Sequence, residues 1–147
     1  MAKSYRTLRG FSEGQEREEE LYFAYSASLR IFGEIPNLDE ISRALGLKPT
    51  STHRKGERRK GAAPYRHDMW LYRAPVEEAE PLERHIDALW AQLKPHKRYL
   101  LKLKKSLTVD VFLGYRSNSG TAGLEIPHTS LEMFSQLQIP LGLSIIV

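Results

Sequence analysis

The chain has 147 residues, 41% hydrophobic and 27% charged, which is the length and balance of one globular domain with its own core. It holds no cysteine, which excludes disulfides, thiolate catalysis and thiolate metal sites and fits a reducing compartment. The net charge of +4 is modest, so how the charge is distributed matters more than its total.

Residues 1–19 read as a flexible N-terminal segment, with Gly10, Gly14 and the acidic run Glu16, Glu18, Glu19, Glu20 broken only by Arg17. Met1–Gly10 lacks the apolar stretch of a signal peptide, and no apolar run nears the roughly 20 residues of a membrane span. The expectation is a cytoplasmic protein with no membrane partner. Residues 20–147 read as a single α+β domain.

From Leu21 to Phe32 aromatic and β-branched residues are frequent. Tyr25, Ala27, Leu29 and Ile31 share one parity against Ser26, Ser28 and Arg30, which predicts a strand with one wet face. Pro36 ends it, and Asn37 caps a short helix with Glu40 three residues on, as in a capping box. Leu38, Ile41 and Leu45 recur at helical spacing, and Gly46 supplies the stop. Residues 48–67 form a long polar loop, and Met69–Tyr72 is a short strand that Pro75 ends.

Pro81, with Glu77, Glu78 and Glu80 before it, suits a helix start, and Leu82, Ile86, Leu89 and Leu93 make a buried stripe. Pro95 interrupts, and a second helical segment over 96–106 extends the stripe through Leu100 and Leu103, with Lys102, Lys104 and Lys105 at its C-terminal end. Thr108–Tyr115 is a second long strand, 116–123 a turn, Thr129–Leu137 a short helix and Leu141–Val147 an apolar closing strand.

Glu34-Ile35-Pro36 leads into the first short helix, and Glu125-Ile126-Pro127 leads into the last. The matching order of elements predicts a strand–helix–strand pseudo-repeat. The fold class is therefore α+β: an antiparallel or mixed sheet of about four strands with helices packed on one face.

These residues resemble a bacterial family known as domain of unknown function 4279. The likeness rests on Ser28-Leu29-Arg30-Ile31, Glu40-Ile41-Ser42, Leu45-Gly46-Leu47-Lys48-Pro49-Thr50, Lys55-Gly56-Glu57, Trp70, His85-Ile86-Asp87-Ala88-Leu89 and the apolar end after Leu141. It covers about residues 21 to 147. The chain departs from the family at Thr121-Ala122-Gly123, where paired glycines are usual, and at Val147, where an aromatic end is usual. The resemblance implies a small stand-alone bacterial domain, with no established activity and no catalytic residues to carry over.

The basic region is the candidate site. From Lys48 to Arg73 eight basic residues (Lys48, Arg54, Lys55, Arg58, Arg59, Lys60, Arg66 and Arg73) face two acids, Glu57 and Asp68, a balance of +6. Tyr65 and Trp70 lie in the same stretch. Cations near aromatics suit phosphate contact with base stacking, although such runs also serve only solubility, and Trp70 also reads as core. A second basic block, Lys94, Lys97, Arg98, Lys102, Lys104 and Lys105, holds no acid and is expected on the same face. Gly56, between Lys55 and Glu57, reads foremost as a salt-bridged turn and secondly as a small anion-binding turn.

The five histidines, His53, His67, His85, His96 and His128, form no close ligand pair, so no metal or cofactor is expected. No Gly-x-Ser-x-Gly elbow occurs. His67-Asp68 is adjacent, but neighbours on a strand point to opposite faces, and Asp110 and Glu125 have nothing that fixes them together. The expected function is binding, to an anionic partner (nucleic acid or acidic protein) through the 48–73 region. The alternatives are an immunity-type or regulatory protein-binding domain and a small enzyme of unrecognised type. Oligomeric state is open.

Overall fold

The computed structural model describes residues 6–7, 19–121 and 123–147. Of the N-terminal segment, Arg6–Thr7 (β1) pairs antiparallel with Glu19–Glu20 (β2). The rest of the flexibility expected over 1–19 lies outside the described residues, as does Ala122.

The long first strand, β3, is Phe23–Gly33. Its alternation holds on the apolar parity, where Ala27, Leu29 and Ile31 are all 0% exposed; on the parity expected to be wet, Ser26 and Arg30 are half-buried but Ser28 is buried at 5%. Helix α1, Leu38–Leu45, is capped as expected, with Asn37 Oδ1 accepting the Asp39 N–H at 3.0 Å and Gly46 in the left-handed region at φ +64°. Next come β4 (Ser51–His53), β5 (Asp68–Arg73) and α2 (Leu82–Leu93). Pro95 produces a 3-10 turn, Lys94–His96, and not a break, and the helix resumes as α3, Lys97–Leu103. Strand β6 is Thr108–Ser117, a second 3-10 turn, His128–Leu131, leads into α4, Glu132–Leu137, and β7 is Leu141–Ile146.

Five strands form one sheet in the order β4-β5-β3-β6-β7, antiparallel throughout except that β7 runs parallel to β6. The mixed sheet agrees with expectation. The fifth strand is β4, hidden inside the polar loop: Ser51–His53 has no apolar alternation, and its pairing with β5 is made by the backbone. Such an edge strand faces water on most sides and needs no hydrophobic signature.

Register explains the layering. Leu29 lies opposite both Tyr72 and Val111, and Ile31 opposite Trp70 and Val109, so one parity of β3, β5 and β6 builds a single apolar face. Ile41 and Leu45 of α1, Ile86, Leu89 and Leu93 of α2, and Leu100 of α3 are buried against it. The opposite face carries Ser26, Ser28 and Arg30 beside Gly114, Phe112 and Asp110 in matching register. The helical layer stops short of β7, where Leu141, Leu143 and Ile145 remain 42%, 36% and 60% exposed.

The pseudo-repeat has a topological form. In the second half, β6–α4–β7 is a crossover between adjacent parallel strands; in the first, β3–α1–β4 has β5 slotted between its two strands. The second basic block is largely structural. Lys94 Nζ lies 3.5 Å from Glu132 Oε1, Lys97 reaches Gln136, and Lys104 Nζ donates to the carbonyls of Leu137 and Gln138 at 3.0 and 2.6 Å. These lysines tie the 3-10 turn to the start of α4, and the start and the C-terminal end of α3 to its last turn.

Candidate functional site

Between β4 and β5 the basic segment folds into a pinned hairpin. The Gly56 N–H donates to the Tyr65 carbonyl at 2.8 Å, the Tyr65 N–H donates to the Glu57 carbonyl at 3.2 Å, and Arg59 bridges Ala62 at the tip. Gly56 has φ +85°, a conformation that glycine adopts freely and L side chains rarely do.

Asp68, the first residue of β5, anchors this hairpin. Its Oδ1 accepts the Lys55 N–H at 2.8 Å and its Oδ2 accepts the Ile35 N–H at 2.9 Å. Arg54 Nη1 lies 3.6 Å from the same carboxylate and also donates to the Ile35 carbonyl. The carboxylate thus ties the hairpin base to the connection between β3 and α1. Those two backbone donors, helped by Arg54, hold the Asp68 carboxyl below its ordinary pKa.

Two of the sequence-derived site residues change role. Around Gly56 the N–H groups of residues 54–57 are all engaged within the hairpin and its anchor, which favours the salt-bridged turn over the anion-binding one. The N–H of Arg54 goes to Glu57 Oε1, that of Lys55 to Asp68, that of Gly56 to Tyr65 and that of Glu57 to Arg54. Lys55-Gly56-Glu57 is a structural turn pinned by carboxylates. Trp70 is 0% exposed, and its Nε1 donates to Ser42 Oγ of α1 at 2.9 Å, so it fastens α1 to the sheet.

The cations divide into two groups. Arg54 is spent on the Asp68 cluster. Arg59 donates to the Ala63 carbonyl at 2.8 Å and lies 4.5 Å over the Tyr65 ring, which stacks on His53 with centroids 3.4 Å apart. Lys48, Lys55, Arg58, Lys60 and Arg66 are exposed, and among the described residues they form no ion pair. The region's two acids are both occupied inside the hairpin, so the outward-facing charge is positive.

The other titratable candidates are structural. His85 is 1% exposed, with Nε2 3.1 Å from the Glu80 carbonyl, and burial pushes its pKa down. Asp110 holds Arg30 through two contacts of 2.8 Å on the open sheet face, with the Arg30 guanidinium 4.7 Å from the Phe112 ring centre. Among the described residues no group of three His, Asp or Glu converges, and no helix is long and apolar enough to cross a membrane.

Sequence reasoning missed the Asp68 anchor. The signal that could have found it was an acid at the start of a strand following an excess of cations. No curated protein and no solved structure matches the chain. The family model described as Domain of unknown function (DUF4279) matches residues 22–147, from the residue before β3 through the last residue after β7. The match takes in the whole five-stranded sheet and the hairpin, and the protein belongs to that family.

Proposed function

We propose that the domain acts by binding, and that it takes a single-stranded or duplex nucleic acid on the basic 48–73 region. The observation that carries this reading is a hairpin whose two acids each accept a backbone N–H of the hairpin itself, while Lys48, Lys55, Arg58, Lys60 and Arg66 are exposed and form no ion pair among the described residues. A tethered loop presents its charges with little ordering cost on contact, which favours affinity for a regular polyanion. The absence of cysteine fits a reducing cytoplasm as its setting.

The test is salt dependence. Engaging about four phosphates gives a log–log slope near −3.6 on duplex DNA and about −2.8 on a single strand. Arg58→Ala, Lys60→Ala and Arg66→Ala together, at exposed cations without an ion pair among the described residues, should weaken binding and flatten that slope while leaving melting unchanged. Binding that ignores both salt and these substitutions eliminates the reading. A second reading, a regulatory or immunity-type domain with a protein target, draws support from the exposed apolar strand β7. It requires a stoichiometric complex that survives high salt.

A further inference from the structure

The open sheet face carries a second feature, away from the hairpin. Ser26 of β3, Gly114 of β6 and Ser144 of β7 stand opposite one another in register and form a row across three strands. Together with residues on either side they line a cavity of about 210 Å³. The next row in one direction is Ser28–Phe112–Gly142, with Arg73 of β5 opposite Ser28; in the other direction it is Ala24–Arg116–Ile146. Each flanking row lies about 7 Å from the central one, at 3.4 Å per residue. An arginine side chain spans such a distance, and Arg73, Arg116 and the acid Glu78 all line the cavity.

Glycine gives the Ser26 hydroxyl its place on that floor. A Cβ at position 114 would sit 2.4 Å from Ser26 Oγ. The serine hydroxyl occupies the space above the glycine backbone, and a side chain there would force it to another position and narrow the trough. Arg116 is held 3.8 Å from Glu78, and Arg30 is paired with Asp110. Among the described residues Arg73 forms no ion pair. Phe112 and Ile146, 36% and 60% exposed, supply apolar surface beside the charges.

We infer that this trough is a binding site for a small phosphorylated molecule. The phosphate sits between Arg73 and Arg116 over the serine hydroxyls, and an attached ring lies against Phe112. Arginine suits phosphate by its planar fork of donors, and serine hydroxyls complete the shell. Drug-sized ligands fill roughly 300–1,000 Å³, so a smaller trough admits one phosphate and one ring. The inference goes beyond the hairpin reading and does not depend on it.

The experiment is calorimetric titration of the full chain with phenyl phosphate, a nucleoside 5′-monophosphate, the unphosphorylated nucleoside and inorganic phosphate. Phenyl phosphate and the nucleotide should bind one per chain, inorganic phosphate more weakly and the nucleoside not at all. A single-stranded oligonucleotide with and without a 5′-phosphate separates a free metabolite from a nucleic-acid end as the source. If the end is the source, only the phosphorylated oligonucleotide competes with phenyl phosphate. Arg73→Ala, on an exposed site, should weaken phenyl phosphate at least about tenfold, the loss of one charge-assisted contact. Gly114→Ala should abolish binding, and the folded baseline of Arg73→Ala keeps the test valid if Gly114→Ala does not fold. The hairpin variant with Arg58, Lys60 and Arg66 changed to Ala should bind phenyl phosphate as the natural chain does. No binding by the natural chain, equal binding by Arg73→Ala, or loss of binding in the hairpin variant would each overturn the assignment.

Discussion

Replacing Asp68 by Asn tests the hairpin anchor without opening a cavity. The carboxylate uses its two oxygens separately, one for the Lys55 N–H and one for the Ile35 N–H. Asparagine offers a single acceptor oxygen, and its amide group would turn two donors toward the remaining N–H and toward Arg54. One charge-assisted hydrogen bond is lost outright and the other becomes neutral, at about 1.5–3 kcal/mol for the first and less for the second. A loss of about 2–3 kcal/mol lowers Tm by about 4–12 °C in a chain of this size. Urea unfolding followed by circular dichroism measures it at pH 7. Because folding lowers the Asp68 pKa, its contribution is fully present above the unfolded carboxyl value, about 3.9, and disappears as pH falls through the lower folded value. The gap between natural chain and variant should therefore close in acid. Limited trypsin digestion at Arg58, Arg59 and Lys60 should also speed up in the variant at neutral pH. A gap under about 0.5 kcal/mol at pH 7, within ordinary surface effects, or one that persists unchanged at low pH, refutes the anchor.

Trp70→Ala should cost about 3–5 kcal/mol, as a fully buried aromatic does, and a change below about 1 kcal/mol in the same denaturation assay would show that the indole is not core. Ser42→Ala paired with Trp70→Phe in a double-mutant cycle should show coupling of about 1 kcal/mol for the hydrogen bond between α1 and β5. Burial lowers the pKa of His85, so stability should fall as pH drops below about 6.5, where the unfolded imidazole takes up a proton that the folded one resists. His85→Gln should flatten that slope between pH 8 and 5; an unchanged slope would place the titration elsewhere.

Elements with a local signature were legible in the sequence. The period of two in β3, the Asn37 cap and Gly46 stop of α1, and the leucine spacing of α2 each follow from short-range chemistry and stand as expected. Pro95 was readable as an interruption, but not as a tightened turn between two helices that stay in register with the same core. Strand β4 was not legible, because three polar residues become a strand only when β5 offers its backbone. Gly56 and Trp70 have the structural contacts that the turn and core readings call for. The Ser26–Gly114–Ser144 row joins positions 88 and 30 residues apart, and nothing local marks either pairing.

Strand β3 is the earliest long strand made, yet every neighbour it will have comes later: β5 begins at Asp68 and β6 ends at Ser117. At about 5–20 residues per second, synthesis leaves its first edge bare for about 2–7 seconds and its second for about 4–17 seconds. Through that interval an eleven-residue strand offers both rows of backbone groups to any passing chain.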